Sequence, residues 1–569
     1  MENILIQAPG PIRGRETVRE RSARSDRVIL PLLALLAGCS ASGYVEDADE
    51  QVYRILGQAS SSVTGQSKVF EVGRPESSLR ERLLRDGGSV LLDLPASLDV
   101  AAENNRQYAR DKEQLYTVAL TLTREQHDFA LRYGGGGSAD ASGTGDETSS
   151  SYSATASFSE DLSASVNTTS GARITASFVN TFLRDLLTSD DWDGGAILKI
   201  GLTQPLLRGL GERVVREPLT QAERNVVYQV RSFERARSTL AVQVVSDYYG
   251  VLEQIQNLRN ERANLESVQR NRERSQELFA AGRIDINSFD QARQNELSSQ
   301  NGVVTAENRL MAALDRFKLN RLGLPVDADV RLQVSDLDQL RELGVKRLEL
   351  EEGKAIGLAL SRRYDYRNAL DAVEDAARGV LVSEGALASS LDFASAIEVP
   401  TEAGKPLKFD WSEVKWSVGF NLDLALDKLS ERNAYRSALI SLDVSMRSRE
   451  QLEDSIKFEI RDALRNIQST IESYRIQVNA RVLAERRVDS TRDLFQANRV
   501  EQRDVNDAQD SLLSAQINET GALIDYVIAK LQLVRDLEGL VLESKGLRFD
   551  PGLPLPEGPF SDVPRGADN

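Results

Sequence analysis

The chain is 569 residues long, carries 28% charged but only 6% aromatic residues, and has a formal net charge of −17. That balance is thin for several compact cores and suits long amphipathic helices, while interleaved acidic and basic residues leave no basic footprint for general nucleic-acid affinity. One His (His127), one Cys (Cys39) and no Gly-rich phosphate loop give little to build on, so no catalytic residue, cofactor or metal site is expected.

The N-terminus reads as an export leader. Arg13, Arg15, Arg19, Arg21, Arg24 and Arg27 precede a short apolar run, Val28 to Ala37, which closes on Leu36-Ala37-Gly38-Cys39. Residues 1–38 resemble a bacterial lipoprotein signal peptide, which would make Cys39 the lipidated first residue of the mature chain. Residues 39–90 are expected to form an anchor segment, extended from Tyr44 to Asp86. No other apolar run approaches the roughly 20 residues of a transmembrane helix, so any membrane crossing must be made by strands.

Two such strand pairs are legible. In the first, Ala172, Ile174, Ala176, Phe178 and Phe182 alternate with polar residues, followed by Ala196, Leu198, Ile200 and Leu202. The second comprises Leu387, Leu391, Phe393 and Ile397, then Trp416, Val418, Phe420, Leu422 and Leu424. A period of two with one apolar and one polar face marks strands, and about 10 residues suffice to cross a bilayer when tilted. Trp192, Trp411 and Trp416 lie in or beside the connecting loops, where a membrane-interface belt would place them. Ahead of the first pair, a Ser/Gly/Ala/Thr-rich insertion over 134–170 contains a candidate extra strand from Ser151 to Phe158.

Each pair feeds a long helical hairpin. Apolar residues recur every three or four positions from Val226 to Leu258, and neither segment contains a proline after Pro218, so 216–281 and 283–322 read as two helices turning at Gly282. Asp285 or Ser288 can cap the second. The pattern returns over 429–497 and 502–542, with Asn498 where Gly282 stood. Phe279, Ala281, Arg283, Ala292 and Leu297 correspond to Phe495, Ala497, Arg499, Ala508 and Leu513 at a constant offset of about 216 positions. The chain thus divides into a first repeat (91–323), a linker (324–346), a second repeat (347–542) and a tail (543–569) expected to be disordered.

The two-fold order of hairpin, long helix, tip and return helix resembles the TolC-like outer-membrane efflux protein family. The residues that carry the resemblance are Leu202-Thr203-Gln204-Pro205-Leu206-Leu207, Ala222-Glu223-Arg224-Asn225, Val244 with Tyr248, the tip Phe279-Ala280-Ala281-Gly282-Arg283, Tyr364-Asp365-Tyr366-Arg367, and Asp504 to Ala508. The resemblance implies a mainly α-helical fold with membrane β-strands, four per subunit, and a homotrimer closing a twelve-stranded barrel over a periplasmic coiled-coil tunnel. It also implies outer-membrane lipid around the barrel and two protein partners, a periplasmic adaptor and an inner-membrane RND or ABC pump. On the family's pattern Asp504, Asp507 and Arg499 would form a periplasmic gate, and Gly282, Arg283, Asn498 and Arg499 would be adaptor-contact tips. The same aspartates can equally serve as solvated helix caps. The rival class, a structural coiled-coil lipoprotein without channel activity, would not need paired amphipathic strands in both repeats.

Overall fold

The computed structural model describes residues 41–65, 72–73, 78–146, 151–187, 192–348, 350–402, 405, 407–497, 499–543 and 546–549. The first elements are helices α1 (Ala41–Thr64) and α2 (Leu79–Asp86), strand β1 (Ser89–Leu92), and helices α3 (Leu94–Asn104) and α4 (Arg106–His127). Four strands follow: β2 (Arg132–Asp146), β3 (Ser151–Asn167), β4 (Arg173–Asp185) and β5 (Asp193–Pro205). After a short helical turn α5 (Glu212–Val215) come the first long helices, α6 (Glu217–Ala280) and α7 (Ile286–Arg316). The linker holds β6 (Asp329–Leu332) and α8 (Ser335–Leu343). The second half runs α9 (Glu352–Arg362), α10 (Tyr364–Gly385), β7 (Ser390–Pro400), β8 (Lys415–Asp423), α11 (Leu429–Gln496), α12 (Gln502–Asp536), β9 (Leu540–Glu543) and β10 (Gly546–Phe549).

The long helices exist because nothing interrupts them. Pro218 sits in the first turn of α6, where its missing N–H costs nothing. Helices of 64 and 68 residues span about 96 Å and 102 Å. Their return partners are shorter than the periodicity suggested. α7 gives way at Phe317 to one π-helical turn ending on Gly323 (φ +64°), and α12 stops at Asp536 ahead of Glu538, itself at φ +50°. α6 packs on α7, α11 on α12, and α6 on α12, while the shorter α4 and α10 lie along the upper parts of α6 and α11.

The main core sits at mid-height. Val244, Tyr248, Leu252, Phe317, Leu322, Leu324, Ile456, Ile460 and Leu533 are fully buried there, beneath the small parallel β1–β6 sheet and α8. Each such side chain is worth roughly 1.5–3 kcal/mol on burial. Tyr248 donates to Asp336 at 2.7 Å, and burial together with that bond pushes its phenol far above the ordinary tyrosine range. An ionic knot ties the halves together. The Arg363 side chain, 3% exposed, donates to Asp365 and Glu459, and Arg235 reaches Glu538 at 2.6 Å. Higher up, Arg224, Arg231 and Arg378 bind Asp371, Asp375 and Glu217, clamping α10 to α6.

All four expected strands are present, and the insertion adds two more. The sheet is antiparallel throughout, in the order β2-β3-β4-β5-β7-β8. β3 runs the full length of Ser151–Asn167, well past the candidate at 151–158, because Ala, Phe, Leu and Val alternate with Ser, Thr and Asp to its end, with one break at Glu160. Two other expectations are corrected. The segment from Tyr44 to Asp86 is not extended: Ala41–Thr64 is a helix that buries Val52, Leu56 and Ser60 against α4 and α6. In the tail, β10 pairs with β9, and the rest of 543–569 beyond Phe549 lies outside the described residues.

Candidate functional site

Two features can do work: the sheet at one end of the molecule and the helix tips at the other. In the sheet, register gathers the large apolar side chains on one face, with Glu160, Asn180 and Arg184 as polar exceptions on β3 and β4. Leu162 pairs with Phe178, Phe178 with Leu198, and Leu198 with Val399, while Ile397 pairs with Trp416 and Phe393 with Phe420. No helix packs on this face, and large apolar side chains stand open, with Trp416 76%, Phe420 66% and Leu162 62% exposed. The opposite face is mainly polar, with Lys199 and Glu398 joined at 2.7 Å and Ser138 bonded to Ser159 at 2.8 Å, though Val179 pairs with Ile197 on it. Apart from Ala196, Asn180 and Val399, which are buried, the sheet leaves the large side chains of its apolar face uncovered by their own chain. Trp192, Trp411 and Trp416 are brought to its outer end, away from the helices, where Phe409 contacts both Phe178 and Trp411.

The first tip is built as the sequence indicates. Gly282 adopts φ +64°, its N–H reaches Phe279 O, and Arg283 N–H closes back on Leu278 O at 2.8 Å. Asp285, not Ser288, caps α7, accepting from Ser288 N–H at 2.9 Å, and hydrogen bonding from the Ser288 side chain, then from its backbone N–H, holds the Asp285 carboxyl below the usual range. Phe279 stacks on Phe289 at 5.5 Å across the turn. Gly282 and Arg283 are exposed, as an adaptor contact requires.

The second tip repeats the geometry, with Arg499 N–H bonded to Leu494 O at 2.9 Å. Asn498 lies outside the described residues, as does Cys39. Asp504 is part of a capping box the sequence reading missed: Glu501 is the N-cap of α12, and the Asp504 carboxylate accepts from Glu501 N–H at 3.0 Å. Glu is an uncommon N-cap, so only the three-residue spacing of two acids could have flagged it. Asp507 and Asp510 follow on the same exposed side of α12. Burial, then the charge of Asp507, pushes the Asp510 carboxyl up. Between the tips, α6 meets α12 through polar side chains: Ser275 donates to Gln502 at 3.0 Å and Gln509 to Ser267 at 3.1 Å. Among the described residues no ion pair joins Arg499 to Asp504 or Asp507 within one copy, and no cluster of metal-ligating side chains is found.

Two duplicated helical hairpins about 100 Å long beneath an open amphipathic sheet define a TolC-like outer-membrane channel fold. Solved structures of that kind align over most of the chain. CusC, studied for transmembrane channel formation, covers 82% of this chain and 98% of its own at 16% identity and a TM-score of 0.57. The outer-membrane channel OprN covers 84% and 94% at 16% identity and a TM-score of 0.58. The CmeC outer-membrane channel of Campylobacter jejuni covers 81% and 87% at 13% identity and a TM-score of 0.57. These likenesses establish the fold. No protein-family profile and no curated protein matches the sequence.

Proposed function

We propose that this protein is the outer-membrane channel of a tripartite efflux or type I secretion system, a passive trimeric exit duct without catalytic activity. The observation that carries the proposal is the pairing, in one chain, of a bilayer-height sheet with an open apolar face and a duplicated helical column long enough to cross a periplasm. A membrane strand must satisfy every backbone group by closing a barrel, and six strands with two free edges cannot close on themselves, so several copies are needed.

The helices call for the same assembly. α6 is lined with buried residues along most of its length, but α11 has none before Ile456, and Ile440, Val444 and Met446 stand exposed above it. A neighbouring copy would cover them. In this reading Cys39 carries the lipid that anchors each subunit, the sheet faces outer-membrane lipid, and Trp192, Trp411 and Trp416 sit at its interface. The tips, Gly282 and Arg283 with Asn498 and Arg499, meet a periplasmic adaptor that couples the duct to an inner-membrane RND or ABC pump. Asp504 and Asp507 ring the entrance and favour cations, with Arg499 helping to hold it closed.

The test is mass and single-channel recording on the purified full-length protein in planar bilayers. A trimer giving discrete conductance steps is expected. A folded trimer that never conducts would leave the coiled-coil structural lipoprotein in its place.

A further inference from the structure

The hairpin β2–β3 has no assigned role, yet it is built into the sheet as firmly as any other pair of strands. β3 pairs with β4 over thirteen consecutive residues, from Asn167 opposite Arg173 at the helical end to Thr155 opposite Asp185 at the outer end. It therefore spans the whole height of the strand beside it and is no loop resting on top. All of β2, from Arg132 to Asp146, pairs with β3 from Ser165 to Ser151 without a bulge. The faces also agree. Val166, Ala164, Leu162, Phe158, Ala156 and Ala154 continue the apolar face of β4, interrupted by Glu160 opposite Asn180, and Ser165, Ser163, Asp161, Ser159, Ser157 and Thr155 continue its polar face.

We propose that this hairpin is part of the membrane wall, and that the free edge of β2 pairs with the free edge of β8 from a second copy of this chain. Three copies then close an eighteen-stranded barrel, not a twelve-stranded one. The inference rests on the channel reading above and specifies its architecture.

Three observations point to that partner. First, the edges are unprotected. Soluble sheets blunt their edges with prolines, bulges, mid-strand lysines or very short strands. β2 is fifteen residues long and β8 nine; neither has a proline, and their only Lys or Arg residues, Arg132 and Lys415, stand at strand starts. Second, the directions fit. Six alternating strands leave β2 and β8 antiparallel, so a β2–β8 junction repeats the pairing found everywhere else in the sheet. A hairpin is the smallest insertion that preserves this alternation in a closed antiparallel barrel.

Third, β2 carries little at its outer edge to obstruct another strand: Gly134 to Gly137 have no side chains, and the space a Cβ would fill at Gly134 and Gly136 is already taken within the sheet by Ser163 Oγ (2.9 Å) and Asp161 Oδ1 (2.7 Å) of β3. Glycines inside a strand mark places where another backbone or a neighbouring side chain comes close. With strands about 4.8 Å apart and tilted about 40°, eighteen strands give a barrel about 36 Å across between backbones, against about 24 Å for twelve. The hairpin thus widens the outer opening by half.

Disulfide trapping in the full-length protein distinguishes the two barrels. A cysteine at Asp140 on β2 is combined in turn with one at Ser417, Gly419 or Asn421 on β8, which scans the register along the polar face. The comparison set places the first cysteine at Ser177 on β4. Single-cysteine variants control for Cys39, and native mass confirms the trimer before oxidation. Covalent dimers and trimers are expected from at least one Asp140 combination and from none with Ser177. Links from Ser177 to β8, or an intact trimer with no Asp140 link in any register, would overturn the eighteen-stranded wall and leave the channel standing. A protein that is monomeric in lipid would overturn both.

Discussion

Asp504 has two possible jobs, and the structure shows how to separate them. Its carboxylate closes the capping box of α12 by accepting from Glu501 N–H at 3.0 Å, while Asp507, one turn further on, takes no part in the cap. Asp504→Ala removes both the bond and a negative charge from a helix N-terminus. Cap loss costs about 0.5–2 kcal/mol, and an exposed site falls near the middle, about 1 kcal/mol or about fivefold in local opening. Asp504→Asn keeps an acceptor and removes the charge. Asp507→Asn removes charge alone.

Amide exchange at Asp504 and Val505 reports the cap, and the reversal potential across a KCl gradient in a planar bilayer reports the gate. All three variants are expected to lower cation selectivity, and only Asp504→Ala is expected to speed exchange in the first turn by about fivefold. If Asp504→Asn and Asp507→Asn both leave the reversal potential at its wild-type value, the aspartates are caps and the electrostatic entrance is wrong.

Other sites give independent tests. A Cβ at Gly323 would lie 2.1 Å from Asn104 O at a φ of +64°, so Gly323→Ala should cost more than about 3 kcal/mol in denaturant unfolding or prevent folding. Gly357→Ala, in the exposed interior of α9 with nothing within 4 Å, should instead add about 0.5–1 kcal/mol. Lys530, 7% exposed, is pulled down to about 8 by burial and then by the charge of Lys346. The unfolded chain then binds more protons between pH 8 and the ordinary lysine value, so stability should rise with pH across that window; Lys530→Met should flatten the rise in pH-dependent melts. On the sheet, Phe420→Lys places a charge on the apolar face and should cost about 2–4 kcal/mol of folding in lipid vesicles, whereas Ser417→Lys on the polar face should be tolerated.

What the sequence made legible was whatever follows a period. The four strands with bulky alternation, the uninterrupted long helices and the paired tips were readable because Val, Leu, Ile and Phe recur at two, or at three and four, and because Gly282 marks a stop. β2 was not readable. After Tyr133 its apolar positions are Gly and Ala, which carry almost no hydrophobic signal, and its strand character comes from pairing with β3. The alternation of β3 did continue past Phe158 through Leu162, Ala164 and Val166, so its length could have been read. α1 was missed because its buried stripe is only Val52, Leu56 and Ser60, spaced by four within a polar segment. Asp504 lies in the first turn of α12, but its bond to Glu501 N–H depends on backbone geometry that residue types do not specify.

Two surfaces are left open at the same end of the chain, and no single environment satisfies both in one copy. Water solvates the free N–H and C=O groups of β2 and β8 but not the apolar face bearing Trp416, Phe420 and Leu162. Lipid accepts that face but offers nothing to the two backbone edges, each unpaired group costing several kcal/mol. The exposed apolar residues of α11 above Ile456 add a third surface that neither solvent favours as well as a protein neighbour does. A ring of copies closed in a bilayer meets all three demands together. Barrel closure, membrane insertion and pairing of the helical columns are then one cooperative event, and a variant that blocks the β2 or β8 edge should yield monomers that neither insert nor conduct.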